Sequence, residues 1–251
     1  MNNISVCMAT YNGANYIKEQ IDSILIQLDK NDELIIVDDC STDDTVSIIK
    51  SVKDERIKLF HNEENRKHVY TFGRSISLSK NELIFLCDQD DIWIDDRIKI
   101  MKEYFDKVSS LVISSNFLLL DSNKNVHESK NPLKKNDSKK YFKNVIGIMF
   151  GKKDYFGCAM AFRKELKNII LPFPNYLESH DLYIAIAGNI LKSNLHIEEK
   201  TVYRRLHDNN VTNPNRSLEK KIKTRFIFIK SFINIRKRIK TSNNTKYVTF
   251  Q

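Results

Sequence analysis

Apolar residues along the first 120 positions follow two alternating patterns. Ile4–Ala9, Glu33–Val37, Ile57–His61 and Leu83–Cys87 are short apolar runs that read as strands. Between the first two, Tyr16, Ile17, Gln20, Ile21, Ile24, Leu25 and Leu28 fall at helical spacing. A second helix is predicted from about Asp43, where Ser41-Thr42-Asp43-Asp44 resembles a capping arrangement before Val46, Ile48 and Ile49. Val69–Leu78 predicts a third. Repeated strand–helix–strand units place the chain in the α/β class, with a mainly parallel sheet covered on both faces. Ligands of such sheets sit beyond the carboxyl ends of the strands. Two carboxylate clusters fall there, Asp38-Asp39 and Asp88-Gln89-Asp90-Asp91.

The second half is patterned differently. Residues 122–143 are rich in Lys, Asn and Ser and predict a mobile loop rather than an element. Gly157–Phe162 predicts a strand, Lys164–Ile169 a short helix, Asp181–Leu191 a longer helix, and Leu195–Tyr203 one or two strands. With 251 residues, 41% of them hydrophobic, the chain suits one large domain and is not disordered. No stretch approaches the ~20 consecutive apolar residues of a membrane span; Leu111–Leu120 is interrupted by Ser114, Ser115 and Asn116. Met1–Ser5 has no signal-peptide pattern, and the four cysteines, 33, 47 and 71 positions apart, suggest neither a zinc site nor disulfides. These features together predict a cytoplasmic protein.

The net charge of +9 suggests nucleic acid until it is partitioned. Residues 1–217 carry 31 basic and 31 acidic side chains, whereas 218–240 carry nine basic residues against Glu219 alone. The body is neutral and the basicity is a tail, which argues against a nucleic-acid partner. Leu218, Ile222, Phe226, Ile229 and Ile233 lie on one helical stripe of that tail, broadened by Phe228, Phe232, Ile235 and Ile239. A cationic amphipathic helix of this kind suits an anionic membrane surface. The competing reading docks the stripe on the domain and leaves the lysines in water.

Three acids within Asp88-Gln89-Asp90-Asp91 repel one another unless something neutralises them. A divalent cation such as Mg²⁺ or Mn²⁺ does so, taking carboxylates together with substrate phosphates; a solvated helix-capping turn is the plainer reading. Thr10-Tyr11-Asn12-Gly13, Val37-Asp38-Asp39-Cys40-Ser41-Thr42-Asp43 and Cys87-Asp88-Gln89-Asp90-Asp91-Ile92-Trp93 follow the first, second and fourth strands. In order and spacing, across residues 4–97, they resemble the family 2 nucleotide-sugar glycosyltransferases of polysaccharide biosynthesis. Gly157-Cys158-Ala159-Met160, His180-Asp181 and Tyr203-Arg204-Arg205-Leu206-His207 extend the resemblance more thinly.

The resemblance implies a GT-A fold, with a nucleotide-sugar-binding half over 1–121, an acceptor half over 122–217 and the amphipathic tail over 218–251. It implies that Thr10, Tyr11, Asn12 and Asp38 hold the nucleoside, with Asp39 buttressing that loop. Asp88 would meet the ribose or metal-bound water, while Asp90, and His207 after its Tyr-Arg pair, would ligate the cation. Asp91, Trp93, Arg204 and Arg205 fall to the diphosphate or sugar, with packing under its loop as the alternative reading of Trp93. Gly157, Cys158 and His180 belong to the acceptor side, Gly157 reading alternatively as a bulge. Asp181 is the implied general base of an inverting transfer, with helix capping as the competing reading and Glu178 as the fallback base. The donor is a nucleotide sugar, UDP-linked in preference to dTDP-rhamnose, and the acceptor a saccharide or lipid-linked saccharide on the inner face of the cytoplasmic membrane. The Gln-x-x-Arg-Trp motif of processive synthases is absent, which points to one sugar per encounter. A nucleotidyltransferase shares the layout but usually carries a Gly-rich basic first loop, whereas Thr10–Ala14 holds one Gly and no Arg.

Overall fold

The computed structural model describes residues 2–207 and 217–244. The first half alternates β1 (Ile4–Thr10), α1 (Ile17–Leu25), β2 (Glu33–Asp38), α2 (Thr45–Ser51), β3 (Ile57–His61), α3 (Lys67–Leu78) and β4 (Leu83–Asp88). These strands lie parallel in the order β3-β2-β1-β4. Alternation along them feeds two cores. Ile4, Val6, Met8, Leu83 and Phe85 face one side, against Ile17, Ile21 and Ile24 of α1. Cys7, Ile84 and Leu86 face the other, against Phe72 and Ile76 of α3. All three loops that carry the acidic and Thr-Tyr-Asn motifs therefore leave the same edge of the sheet.

The second half continues through β5 (Ile92–Trp93), α4 (Arg97–Lys107), β6 (Val112–Leu120), β7 (Val126–Glu128), α5 (Tyr141–Met149), β8 (Met160–Arg163), α6 (Lys167–Ile170), α7 (His180–Ile190), β9 (Asn194–Arg205) and α8 (Leu218–Asn244). The sheet extends from β4 through antiparallel β8, then β6, β9 and β5. Pairing of β6 with β9 is parallel and interrupted by register shifts between Ser114 and Leu118. No described helix is long and apolar enough to cross a membrane.

Two predicted elements are corrected. The stretch 122–143 is not a featureless loop: β7 pairs with the end of β6, Lys135–Asp137 forms a 3-10 turn, and α5 begins at Tyr141. Leu133 fastens it, because Asn116 accepts from the Leu133 amide at 2.7 Å and donates to its carbonyl at 2.9 Å. Gly157–Ala159 is a 3-10 turn, and the strand begins only at Met160.

The tail is helical, and it docks through its C-terminal half. Ile235 is fully buried among residues of α5, α6 and α7, with Phe228, Phe232 and Ile239 packed beside it. Tyr183 donates to Asn234 at 2.6 Å, and Arg238 donates to the carbonyls of Ile169 and Pro172. Ile222, Phe226, Ile229 and Ile233 remain exposed on the opposite stripe. The described helix thus uses one face for docking and leaves a second apolar face uncovered; residues 245–251 lie outside the described residues.

Candidate active site

Three loops meet at the carboxyl ends of β1, β2 and β4, stitched by side chain–backbone bonds. Gln89 accepts from the Tyr11 amide at 2.9 Å and donates to the Tyr11 carbonyl at 3.0 Å. Gly13 permits that approach, since a Cβ there would lie 2.3 Å from Gln89 Oε1. Asn12, at φ 48°, accepts from the Thr42 amide at 2.8 Å while its own amide donates to Ser41. An asparagine tolerates this left-handed conformation better than most residues. The geometry of the first loop is therefore set by the second and the fourth strand's loop together.

A cleft of about 740 Å³ opens above this junction, a size suited to a small ligand. Thr10, Tyr11, Asn12, Asp39, Asp88, Asp90 and Asp91 line it. Gly157, His180, Asp181, Arg204 and His207 line it too, so residues far apart in sequence share one space. Asp38 does not line it. Its carboxylate is consumed by Thr10 Oγ1 at 3.1 Å, Ser41 Oγ at 2.6 Å and the Ser41 amide at 3.0 Å. Asp39 reaches the cleft instead, its Oδ1 accepting from Asn62 at 2.6 Å and from the Arg66 amide at 2.8 Å. Among the described residues Asp39 Oδ2 has no hydrogen bond. The two implied placements are thus exchanged: Asp38 buttresses the loop, and Asp39 lines the cleft.

Asp90 and His207 come together as implied, with Oδ2 and Nε2 2.7 Å apart. Tyr16 stacks on His207 at 4.9 Å between centroids, with the guanidinium of Arg205 5.2 Å from the Tyr16 ring centre. Arg205 is not directed at a diphosphate. It donates to the Asp90 carbonyl at 3.0 Å and to Glu19 at 2.6 Å, and its amide donates to Asp91 Oδ1. It pins the acidic turn from beneath. Arg204 stays on the cleft, 4.4 Å over the Phe156 ring.

Burial, then Asp91 and Asp90, push the Asp88 carboxyl well above its ordinary range, with Arg204 opposing. Asp91 is pushed to about 7, chiefly by burial and by Asp90. Its Oδ2 is buried with no hydrogen-bond partner in the described structure. Ligand atoms of Asp88, Asp91 and Cys158 lie within 4.8 Å of one another. Carboxylates crowded to this degree fit a hard divalent cation, which supplies the missing positive charge. Cys158 does not belong to that donor set: it is buried, and burial raises its thiol well above the usual range. The implied acceptor contact of Cys158 is corrected accordingly, because its thiol packs beneath Asp91. Trp93 is also in the core, 3% exposed, tilted against Phe85 with the Arg97 guanidinium 4.7 Å from its ring. It is the packing reading of Trp93 that holds.

Opposite the acidic loop, Asp181 sits in the first turn of α7 and is half-buried. Ser179 and the Leu182 amide, at 2.8 Å, both donate to Oδ1, and among the described residues Oδ2 has no hydrogen bond. His180 turns inward, stacked 4.0 Å from Phe72, and burial lowers its pKa to about 4. Gly157 lies against both, since a Cβ there would be 3.0 Å from His180 Nε2 and 3.4 Å from Asp181 Cβ. Tyr16, Phe156 and Lys67 line the cleft without having been anticipated. Tyr16 had been grouped with the apolar stripe of α1, and no local signal separates it from that stripe. Asp208, Asn209 and Asn210, which continue the His207 motif, lie outside the described residues.

A family model described as Glycosyl transferase family 2 matches residues 5–170. The chain belongs to glycosyl transferase family 2. This transferase is 31% identical over 116 residues to WfaP of Escherichia coli, named as a UDP-Glc:alpha-D-GlcNAc-diphosphoundecaprenol beta-1,3-glucosyltransferase, covering 46% of each chain. It is 28% identical over 237 residues to the dTDP-rhamnosyl transferase RfbG of Shigella flexneri, covering 86% of this chain and 77% of RfbG. The chain spans 17–46% of the length of the first four curated relatives it matches. A crystal structure of TarS 1-349 from S. aureus with UDP-GlcNAc superposes with a TM-score of 0.66 at 20% identity, over 83% of this chain and 60% of that one. That likeness is one of fold, and the fold of the transferase is GT-A.

Proposed function

We propose that this glycosyltransferase moves a hexose from a nucleotide sugar to a lipid-linked saccharide, one sugar per encounter and with inversion, in cell-surface polysaccharide synthesis. The observation that carries the reading is that Asp181 and the Asp88–Asp91 turn line one cleft. Asp39 and the Thr10–Asn12 loop hold the nucleoside. Asp90 and His207 would hold Mg²⁺ or Mn²⁺ beside Asp88, and the bound ion supplies positive charge to the leaving nucleoside diphosphate. Arg204 adds a fixed cation on the same side. The acceptor hydroxyl gives its proton to Asp181 Oδ2 as its oxygen attacks the anomeric carbon. The bond from that carbon to the diphosphate breaks, and the electron pair leaves with the diphosphate. Ser179 and the Leu182 amide hold Oδ1 and so orient the base. Such a base contributes about 10²–10⁴ in rate.

UDP is the favoured nucleotide, with WfaP as the supporting relative. The extent of the RfbG match, 86% of this chain, supports dTDP-rhamnose as the second reading. The exposed stripe of α8, carrying the lysines that docking leaves in water, supports attachment to an anionic membrane face. The test is to incubate the protein with Mn²⁺, a GlcNAc-diphosphoryl lipid and a panel of UDP-hexoses and dTDP-rhamnose. Product from one donor, with inverted anomeric configuration by NMR, is expected. Retention of configuration, or no product from any donor, overturns the reading.

A further inference from the structure

A second cleft, about 1280 Å³, opens between α3, α5, the Phe173–Ser179 segment and α8. It shares Lys67, His68, Glu178 and Ser179 with the donor cleft, so the two are continuous. Its body is apolar, built from Phe173, Leu182, Ile186, Phe226 and Phe228. Its cationic side chains, Arg66, Lys67, Lys220, Lys223 and Lys230, outnumber the carboxylates of Glu178 and Glu219 by five to two. Arg66 is paired with Glu64 and Lys223 with Glu178, whereas Lys67 makes no ion pair among the described residues.

The anchoring of α8 explains why the cleft exists. Asn234, Ile235 and Arg238 fasten the C-terminal half of the helix to the domain. Its N-terminal half is held across the cleft by the Lys223–Glu178 pair at 2.7 Å, with Ile222 and Phe226 exposed. α5 contributes Ile148 and Met149 to the lining, and just past its end Phe150 is exposed with Arg225 5.5 Å over its ring.

Asp181 lines the donor cleft, Lys67 lines both clefts, and Phe173, Leu182, Ile186, Phe226 and Phe228 line the second alone, so a carboxylate, a cation and an apolar channel share one continuous space. A sugar joined through a diphosphate to a hydrocarbon chain has the complementary parts. We propose that this cleft receives the diphosphate and the first isoprenoid units of a lipid-linked acceptor, the diphosphate at Lys67 and Arg66 and the chain between α5 and α8. The assignment rests on the acceptor being lipid-linked, as proposed above. The charge complementarity and the continuity with the donor cleft favour this occupant over a peptide or a bare membrane contact.

The test uses the full chain with saturating UDP and Mg²⁺, so that the donor's own diphosphate site is filled. Calorimetry compares monomeric farnesyl diphosphate, inorganic diphosphate and farnesol. Farnesyl diphosphate is expected to bind at least tenfold more tightly than either fragment. Phe226→Asp, at an exposed position, is expected to weaken it at least fivefold without changing UDP affinity or melting temperature. Lys67→Asn, which suits the left-handed backbone at position 67 (φ 65°), is expected to weaken it to a similar degree. Affinity unchanged in both variants, or farnesol binding as tightly as farnesyl diphosphate, overturns the assignment. So does a Phe226→Asp variant that leaves phosphatidylglycerol vesicles yet keeps its farnesyl diphosphate affinity. If binding behaves as expected but no sugar reaches any lipid acceptor, the transferase reading fails while the assignment of the cleft stands.

Discussion

Gly157→Ala probes how closely Asp181, the proposed base, is held. The added methyl would lie 3.0 Å from His180 Nε2 and 3.4 Å from Asp181 Cβ. The nearer contact is roughly 0.5 Å inside ordinary van der Waals separation. His180 has little room to retreat, because it is 5% exposed and stacked on Phe72 at 4.0 Å. The start of α7 must yield instead, and Asp181 moves with it. A displacement of ~1 Å of a reacting group costs about 10²-fold in rate, so half of that predicts about tenfold, or ~1.4 kcal/mol in the barrier. The expected result is a kcat lower by about ten, with the KM for the donor unchanged. Steady-state transfer kinetics check it, alongside a thermal melt showing the variant folded at the assay temperature. A folded variant with wild-type kcat refutes the reasoning that Gly157 keeps its place for the sake of the base.

Chelation with EDTA is expected to abolish transfer, and Mn²⁺ or Mg²⁺ to restore it; Asp90→Asn should raise the cation concentration needed for half-maximal rate, read by metal titration. Ile235→Ala removes a fully buried side chain from the docked half of α8, with an expected loss of ~2–4 kcal/mol by urea denaturation, whereas Phe226→Ala, on the exposed stripe, should change stability little. His180 and His196 each make an acid-sensitive contribution to the fold, being buried with pKa values lowered from 6.5 to about 4, while the raised Asp88 and Asp91 carboxyls act in the opposite sense over the same range. The unfolded chain protonates these two imidazoles first, so their contribution falls as pH drops from about 6.5 towards 4 and levels off below that. His180→Phe, which keeps the stacking on Phe72, should flatten that fall in a series of melts from pH 7 to pH 4.

The parallel half of the fold was legible because each strand's alternation serves two cores: Val6 and Met8 face one and Cys7 the other. β1 to β4 match their predicted ranges to within a residue. α4 was missed because its apolar set, Ile98, Met101 and Phe105, stands among Lys99, Lys102, Glu103, Asp106 and Lys107. The meeting of Asp90 with His207, 117 positions apart, came from the motif resemblance alone. The division of labour between Asp38 and Asp39 had no local signal. Neighbouring residues of a strand end point to opposite sides, and Thr10 and Ser41 decide which carboxylate is consumed. Arg205 and Trp93 share a cause: both sit under the acidic turn, where cation–ring packing and backbone bonds support it rather than contact a ligand. The groove between α5 and α8 is a product of tertiary docking, since a helical stripe does not reveal which of its sides will be covered.

In the proposed transfer Asp181 takes the proton from the acceptor. Asp181→Asn keeps the side-chain volume and an Oδ1 acceptor for the Leu182 amide, but cannot accept that proton. Single-turnover transfer by this variant, with UDP affinity measured in parallel, is the most direct test. A rate lower by about 10²–10⁴ with UDP affinity unchanged is the predicted result. Transfer at the wild-type rate would contradict the account.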